Sequence, residues 1–337
     1  MAGRLDVSSV VIEETALTLC AQRLLFAGRP ILFRTNAPKI ARCARDFFPK
    51  ADNSNLHSAQ AATITIYAQG TDVSYESAPW FRARGHFAAG RFTLADSFWF
   101  NLRTREVHGT CSLSLADDGM RWRAHIFPAL LGILSATIDV TPVHAACLAR
   151  GKQGLLLAGQ SGTGKSTLTV AMAKRGYALL SDGWTYLSSA GMRTGEADVE
   201  AWGVPVPVKL LPDASRFFPE LLDFIPHKSL NGEIAYEVSP DECFGVSRLQ
   251  RCPVTVVALL ERAKKQGSSI VPISAGEAIH QLAKEVEPLQ GSLAPCYERQ
   301  IDLVRRLGDV SCYRVSFNSP PDKVAEALDN TLANMSH

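Results

Sequence analysis

Apolar residues in the first third of the chain recur at every second position in short runs, the period of strands. "VVIEE" and "PILFRT" are two such runs, and "ATITIYAQG" alternates Thr and Ile before a Gly stop, the pattern of a half-buried strand. From Trp80 to Gly119, aromatic and β-branched runs are split by Gly and Asp, which predicts an antiparallel meander. One helix over Pro38–Phe48 interrupts the strands, with Asn36 placed to cap it.

After the turn signal Asp117-Asp118-Gly119 the period lengthens. A helix is predicted over Trp122–Ile138, and "TPVHAACLAR" returns as a strand. Short apolar strands then alternate with helices. "GLLLAG" is followed by "GKSTLTVAMAKRG", a helix with Leu168, Ala171 and Met172 on one face and Gly176 as its stop. "YALLSD" and "VTVVALLER" are strands, and "SAGEAIHQLAKEVE" is a capped amphipathic helix. "CYRVSF" and the Pro-opened "PDKVAEALDNTLANM" close the series. The expectation is a β-rich N-terminal domain over residues 1–120, to which the sequence assigns no role, and an α/β domain over residues 121–337, so that the whole is α+β.

Composition narrows the classes. The 337 residues are 46% hydrophobic and 20% charged, an ordinary globular balance. A net charge of +2 supplies no whole-surface attraction to nucleic acid or anionic membrane, and neither is expected as a partner. The eight cysteines form no C-x-x-C pair and no zinc-type cluster, so they read as reduced thiols. The N-terminal residues carry Asp6, Glu13 and Glu14 and lack the apolar run of a signal peptide. The longest apolar stretch, Ile126 to Val140, falls short of the ~20 residues a membrane span needs. A soluble cytoplasmic protein is expected.

Candidate chemistry is concentrated in "LLLAGQSGTGKSTLTVAMAKRGYALLSDGW". Gly159-Gln160-Ser161-Gly162-Thr163-Gly164-Lys165-Ser166 fits G-x-x-x-x-G-K-[ST] between an apolar strand and a helix, with Thr167 following in the first helical turn. The glycines allow backbone angles that turn successive N–H groups inward. Those groups and the helix N-terminus favour anionic oxygens. Lys165 is placed for the outer phosphates of ATP, and the Ser166 hydroxyl for Mg²⁺. Asp182 ends the next strand, at the same sheet edge as the loop, where a carboxylate can hold Mg²⁺ or accept a proton. His144 lies in the strand expected to pair beside the loop strand. Lys209, Lys228, Arg248 and Arg251 are further candidates for contact with phosphate or substrate.

Over Val143 to Leu187, the His-bearing strand, the phosphate-type loop, the helix ending in Arg-Gly and the strand ending in Asp resemble the catalytic domain of HPr kinase/phosphorylase and its related proteins. That family shares its P-loop fold with the phosphoenolpyruvate carboxykinases. The resemblance implies a C-terminal domain of that fold. It also implies nucleotide phosphates and Mg²⁺ on Gly159 to Ser166, His144 and Asp182 lining the reacting centre, and an assembly rather than a monomer. The family's usual second aspartate is Gly183 here, which has no side chain for metal binding or proton acceptance. Glu233, Glu237, Asp241 and Glu242 are the candidates to replace it.

The leading functional expectation is an ATP-dependent kinase acting on a hydroxyl, with a serine of a protein or peptide as acceptor. Lys165, Asp182 and His144 would be its catalytic residues, and Ser166 and Asp182 its metal ligands. Two alternatives stand beside it: a nucleotide-binding regulator that moves no phosphate, favoured by Gly183, and a carboxykinase-like metabolic enzyme. The guanine-reading N-K-x-D motif and the Ser-Gly-Gly signature of transporter ATPases are absent from the sequence.

Overall fold

The computed structural model describes residues 19–48, 62–70, 76–189, 198–229 and 231–334. The predicted strand "VVIEE" lies outside them. Seven strands make the first sheet: β1 (Cys20–Phe26), β2 (Arg29–Thr35), β3 (Ala62–Ala68), β4 (Glu76–Arg84), β5 (Phe87–Thr93), β6 (Ser97–Asn101) and β7 (Glu106–Cys111). Their spatial order is β1-β2-β3-β7-β6-β5-β4. β4 to β7 form the expected antiparallel meander, and β3 pairs in parallel with both β2 and β7. That central position buries Thr65 as well as Ile64 and Ile66, so β3 is covered on both faces rather than half buried.

Helix α1 (Pro38–Phe47) packs on this sheet, burying Ile40, Cys43, Ala44 and Phe47. Asn36 does not cap it. Its amide instead exchanges two hydrogen bonds with the backbone of Ala68 at the end of β3, at 2.9 and 2.8 Å. An Asx side chain beside a sheet edge finds orphan backbone groups there as readily as at a helix start.

The helix expected over Trp122–Ile138 is broken in register. A π turn occupies Trp122–Ile126, and α2 (Phe127–Ser135) follows. Pro128 has no N–H to continue the ordinary ladder, and the widened turn absorbs the missing bond. The turn also rotates Trp122, Ile126, Phe127, Leu130, Leu131 and Leu134 onto one face, where all are fully buried. Phe127 meets Phe33, Phe47, Phe48 and Trp122 at ring separations of 5.1–5.9 Å, and the Trp122 indole N–H donates to the Leu115 carbonyl.

The remaining strands are β8 (Val140–Val143), β9 (Ala145–Arg150), β10 (Gln153–Gly159), β11 (Ala178–Ser181), β12 (Thr185–Ser189), β13 (Val199–Trp202), β14 (Val208–Leu210), β15 (His227–Lys228), β16 (Ile234–Val238), β17 (Arg251–Pro253), β18 (Val256–Arg262), β19 (Gly267–Pro272) and β20 (Ser311–Asn318). The longer helices here are α3 (Lys165–Lys174), α4 (Ala275–Ala283), α5 (Ala294–Arg305) and α6 (Pro321–Ala333). A six-stranded sheet runs β11-β9-β10-β18-β20-β19, flanked by the four-stranded β17-β13-β12-β8 and the three-stranded β14-β16-β15. β10, β18 and β20 are parallel.

Leu155 and Leu157 of β10 enter one apolar cluster with α3 and α6. Leu156 and Ala158 enter another with Leu282 near the end of α4 and with Ile301 and Val304 of α5. Helices on both faces explain why "GLLLAG" is uniformly apolar rather than alternating. The architecture is α/β.

Close backbone approach fixes β11. Gly203, just after β13, has Leu180 O only 1.9 Å from where a Cβ would stand, whereas Gly183 has nothing within 4 Å of that position. Gly203→Ala is expected to destabilise the chain by about 1–3 kcal/mol in urea denaturation. Gly183→Ala is expected to change stability by less than about 0.5 kcal/mol.

Candidate functional site

The loop leaves β10 at Gly159 and enters α3 at Lys165. Gly162 and Gly164 take φ of 79° and 99°, left-handed values that a side chain resists. Thr163 closes the turn, its hydroxyl donating to the Gln160 carbonyl at 2.8 Å and its N–H donating to the same oxygen at 3.2 Å. The Leu168 N–H bonds back to Gly164 O. The N–H groups before it form the open start of the helix, where anionic oxygens are favoured.

Lys165 is only 8% exposed. Its ammonium donates to the carbonyls of Gly159 at 2.6 Å and Gln160 at 3.2 Å. Burial pulls its pKa down, and the negative charges of Glu285 and Asp182 oppose that pull.

β9 is antiparallel to both of its neighbours, β10 and β11. β11 therefore runs in the same direction as β10, and Asp182, the residue after it, arrives at the edge where the loop begins. The segment Asp182-Gly183-Trp184 is pinned at both ends. The Ser181 and Thr185 hydroxyls lie 2.5 Å apart, and Thr185 donates to the Ala145 carbonyl at 2.7 Å. Asp182 is 8% exposed. Its Oδ2 accepts the Lys209 N–H at 3.3 Å, while Oδ1 is buried without a partner. Burial pushes its carboxyl up to about 7, against the pull of the facing Ser166 hydroxyl, the Lys209 N–H and the Lys165 charge.

His144 is the single residue between β8 and β9, which breaks the one strand predicted for "TPVHAACLAR". Ala145 pairs with Ala158, so the break sets His144 beside the end of β10. Its Nδ1 lies 3.8 Å from Glu285 Oε2, and its ring centre lies 5.3 Å from that of Trp184. Burial lowers the imidazole pKa, Lys165 lowers it further, and Glu285 opposes both.

Thus Lys165, Ser166, Asp182 and His144 gather at one sheet edge. Gln160, Ser161 and Thr163 line a cleft of about 590 Å³ together with Glu277, His280 and Arg314. Gly164 and Thr167 face a smaller one of about 190 Å³ beside Phe217, Arg262 and Phe317. Lys209 contributes its backbone to Asp182, and its ammonium pairs with Glu233.

The other named candidates lie elsewhere. Glu237 faces His227, Asp241 pairs with Arg248, and Arg251 pairs with Glu200. Glu242 and Lys228 are exposed, on the short helix 240–244 and on β15.

Sequence reasoning missed Glu285 and the Ser181/Thr185 pin. Glu285 follows α4, one turn beyond Gln281, and nothing along the chain shows which neighbour that helix end meets.

The donor set suits a hard divalent cation. The Ser166 hydroxyl and the orphaned Asp182 Oδ1 are oxygen ligands of the kind Mg²⁺ takes together with phosphate oxygens and water. Among the described residues, no group of three or more His, Cys, Asp or Glu side chains forms a metal site, so an ion here would have to complete its shell from the nucleotide. Among the same residues, no helix is long and apolar enough to cross a membrane.

No protein-family model matches the chain, and no curated protein does. Among solved structures, it is similar to the HPr(Ser) kinase/phosphatase from Coxiella burnetii at 14% identity and a TM-score of 0.31. That likeness covers 58% of this chain and 92% of the other. Values this low leave activity and substrate to be judged from the site itself.

The raised Asp182 pKa carries a sign. The ionised carboxylate is penalised in the fold, so the penalty is absent below about pH 4 and grows as pH rises toward 7. In buffer free of nucleotide and metal, Asp182→Asn is expected to gain stability over the parent by up to about 4 kcal/mol above pH 7, and to gain nothing near pH 4. Thermal melts across that range measure it. A difference independent of pH would contradict the burial of a charged Asp182.

Proposed function

We propose that the chain is an ATP-dependent phosphotransferase of the HPr-kinase-related type, moving the γ-phosphoryl group to a hydroxyl, with a serine of a protein or peptide as acceptor. The observation that carries this reading is the buried Asp182 carboxylate at the mouth of a formed phosphate-type loop, with the Ser166 hydroxyl facing it and its Oδ1 without a hydrogen-bond partner. A buried carboxylate oxygen without a partner is costly unless something binds there in the working state.

In this reading, the backbone N–H groups of residues 160–166 hold the phosphate chain. Lys165 turns from its own loop carbonyls toward the outer phosphates. Ser166 and Asp182 hold Mg²⁺, which supplies charge neutralisation on the phosphate oxygens when bound. His144, at the same edge, faces the acceptor side. Alignment and charge stabilisation then account for most of the rate, as in phosphoryl transfer generally.

A second reading, a nucleotide-responsive regulator without transfer, is favoured by the open space at Gly183, where a second carboxylate would fit and none is present.

Two substitutions separate the parts. Lys165→Ala is expected to weaken Mg-ATP binding at least ~10-fold in calorimetry, from loss of a charge-assisted contact. Asp182→Asn is expected to keep nucleotide affinity within a few-fold and to lower transfer from γ-labelled ATP by roughly 100-fold or more. Incubating the parent with γ-labelled ATP and cell extract tests the function directly. A labelled acceptor supports the kinase, and Mg-ATP binding with neither transfer nor hydrolysis supports the regulator.

A further inference from the structure

Lys165 has two carboxylates near it, and they come from opposite directions. Asp182 reaches it from the sheet and Glu285 from the segment after α4, and both act on its charge. They are not equivalent. Asp182 is buried and faces Ser166, with one oxygen on the Lys209 N–H, a position suited to an ion. Glu285 is about one third exposed and stands against His144 Nδ1 at 3.8 Å. The candidate replacements for the missing second aspartate do not reach the imidazole: Glu237 and Asp241 pair elsewhere, and Glu233 reaches the site only through the Lys209 ammonium.

We infer that Glu285 is the positioning residue that makes His144 the proton acceptor of the reaction, a Glu–His dyad standing where a second aspartate would otherwise serve. This rests on the kinase reading above. A hydrogen bond from Nδ1–H to Glu285, formed on closure, would fix the tautomer and leave the lone pair on Nε2. The gap of 3.8 Å is longer than a hydrogen bond, and catalytic contacts of this kind close when substrate binds.

In the step itself, the acceptor oxygen forms a bond to the γ-phosphorus. The bond from that phosphorus to the β,γ-bridging oxygen breaks, and its electron pair leaves with the nucleoside diphosphate. The acceptor proton goes to His144 Nε2, and the imidazolium charge is balanced by Glu285. The charged groups facing His144 are Lys165 from α3 and Glu285, and the Trp184 ring covers it from the Asp182 corner. Lys165 and burial keep the imidazole neutral at rest, the form a base requires, while Glu285 stabilises the product of proton uptake.

The test uses the full chain with Mg-ATP and water as the acceptor, reading inorganic phosphate release, together with an NMR titration of His144 in nucleotide-free protein. Glu285→Gln is expected to lower the His144 pKa and to slow phosphate release ~10–100-fold. It should also move the acid limb of the rate profile to lower pH and leave the Mg-ATP Kd within about three-fold. Glu285→Asp should recover part of the rate, because the charge is kept and only the reach is shortened. An unmoved His144 titration, or release by Glu285→Gln at the parent rate and with the parent profile, overturns the dyad while leaving the kinase reading intact. Failure of the parent to bind Mg-ATP overturns the kinase reading, and binding with neither phosphate release nor transfer to an acceptor in cell extract overturns both.

Discussion

The site depends on the burial of one ammonium. Lys165 is largely removed from water, and a cation so placed is stable only with acceptors close around it. Two loop carbonyls supply direct hydrogen bonds, and two carboxylates supply field. The carbonyls can face inward only because the loop is tightly wound, with Gly162 and Gly164 in left-handed conformations and Thr163 closing the turn. The requirement of the lysine and the geometry of the loop are therefore one constraint. The folded loop satisfies the charge internally.

The same constraint organises the surrounding sheet. An antiparallel strand, β9, separates the loop strand from β11, so two chain ends arrive at one edge from opposite senses. β11 delivers Asp182 as it ends, and β9 presents His144 as it begins. The Ser181–Thr185–Ala145 bonds hold the Asp182 corner while Gly203 lets β13 pass close behind it. On the other side, α4 lines the cleft opposite the loop, and the segment after it brings Glu285 to His144. The centre is thus built from three layers: sheet, loop and helix end.

Electrostatics divides the roles. Burial raises the Asp182 pKa and leaves one oxygen unpartnered, so its ionised form is costly in the fold. Glu285, partly exposed, stands beside an imidazole whose pKa is lowered by burial and by Lys165. Two carboxylates near one lysine come to differ because one sits under a sheet corner and the other at a helix end.

Local pattern and spacing were enough to read the loop, its helix and the acid at the next strand end, but not the break at His144 that splits the predicted strand in two. The first three are set by short-range rules: glycine where left-handed backbone is needed, a continuous apolar run where both faces are covered, a polar residue where a strand stops. The sequence also carried the α/β alternation after residue 140. It did not carry the π turn, because a single proline shifts helical phase only when packing demands that face. Nor did it carry the Asn36 bond to Ala68, made across 32 positions. Glu285 was illegible for the same reason. It stands 141 positions from His144 (285 − 144), and only the packing of α4 against the sheet decides that they meet. The chain by itself determined which groups have the chemistry. The tertiary structure decided which of them share one low-dielectric edge, because side chains far apart in sequence interact only where the fold removes the water between them.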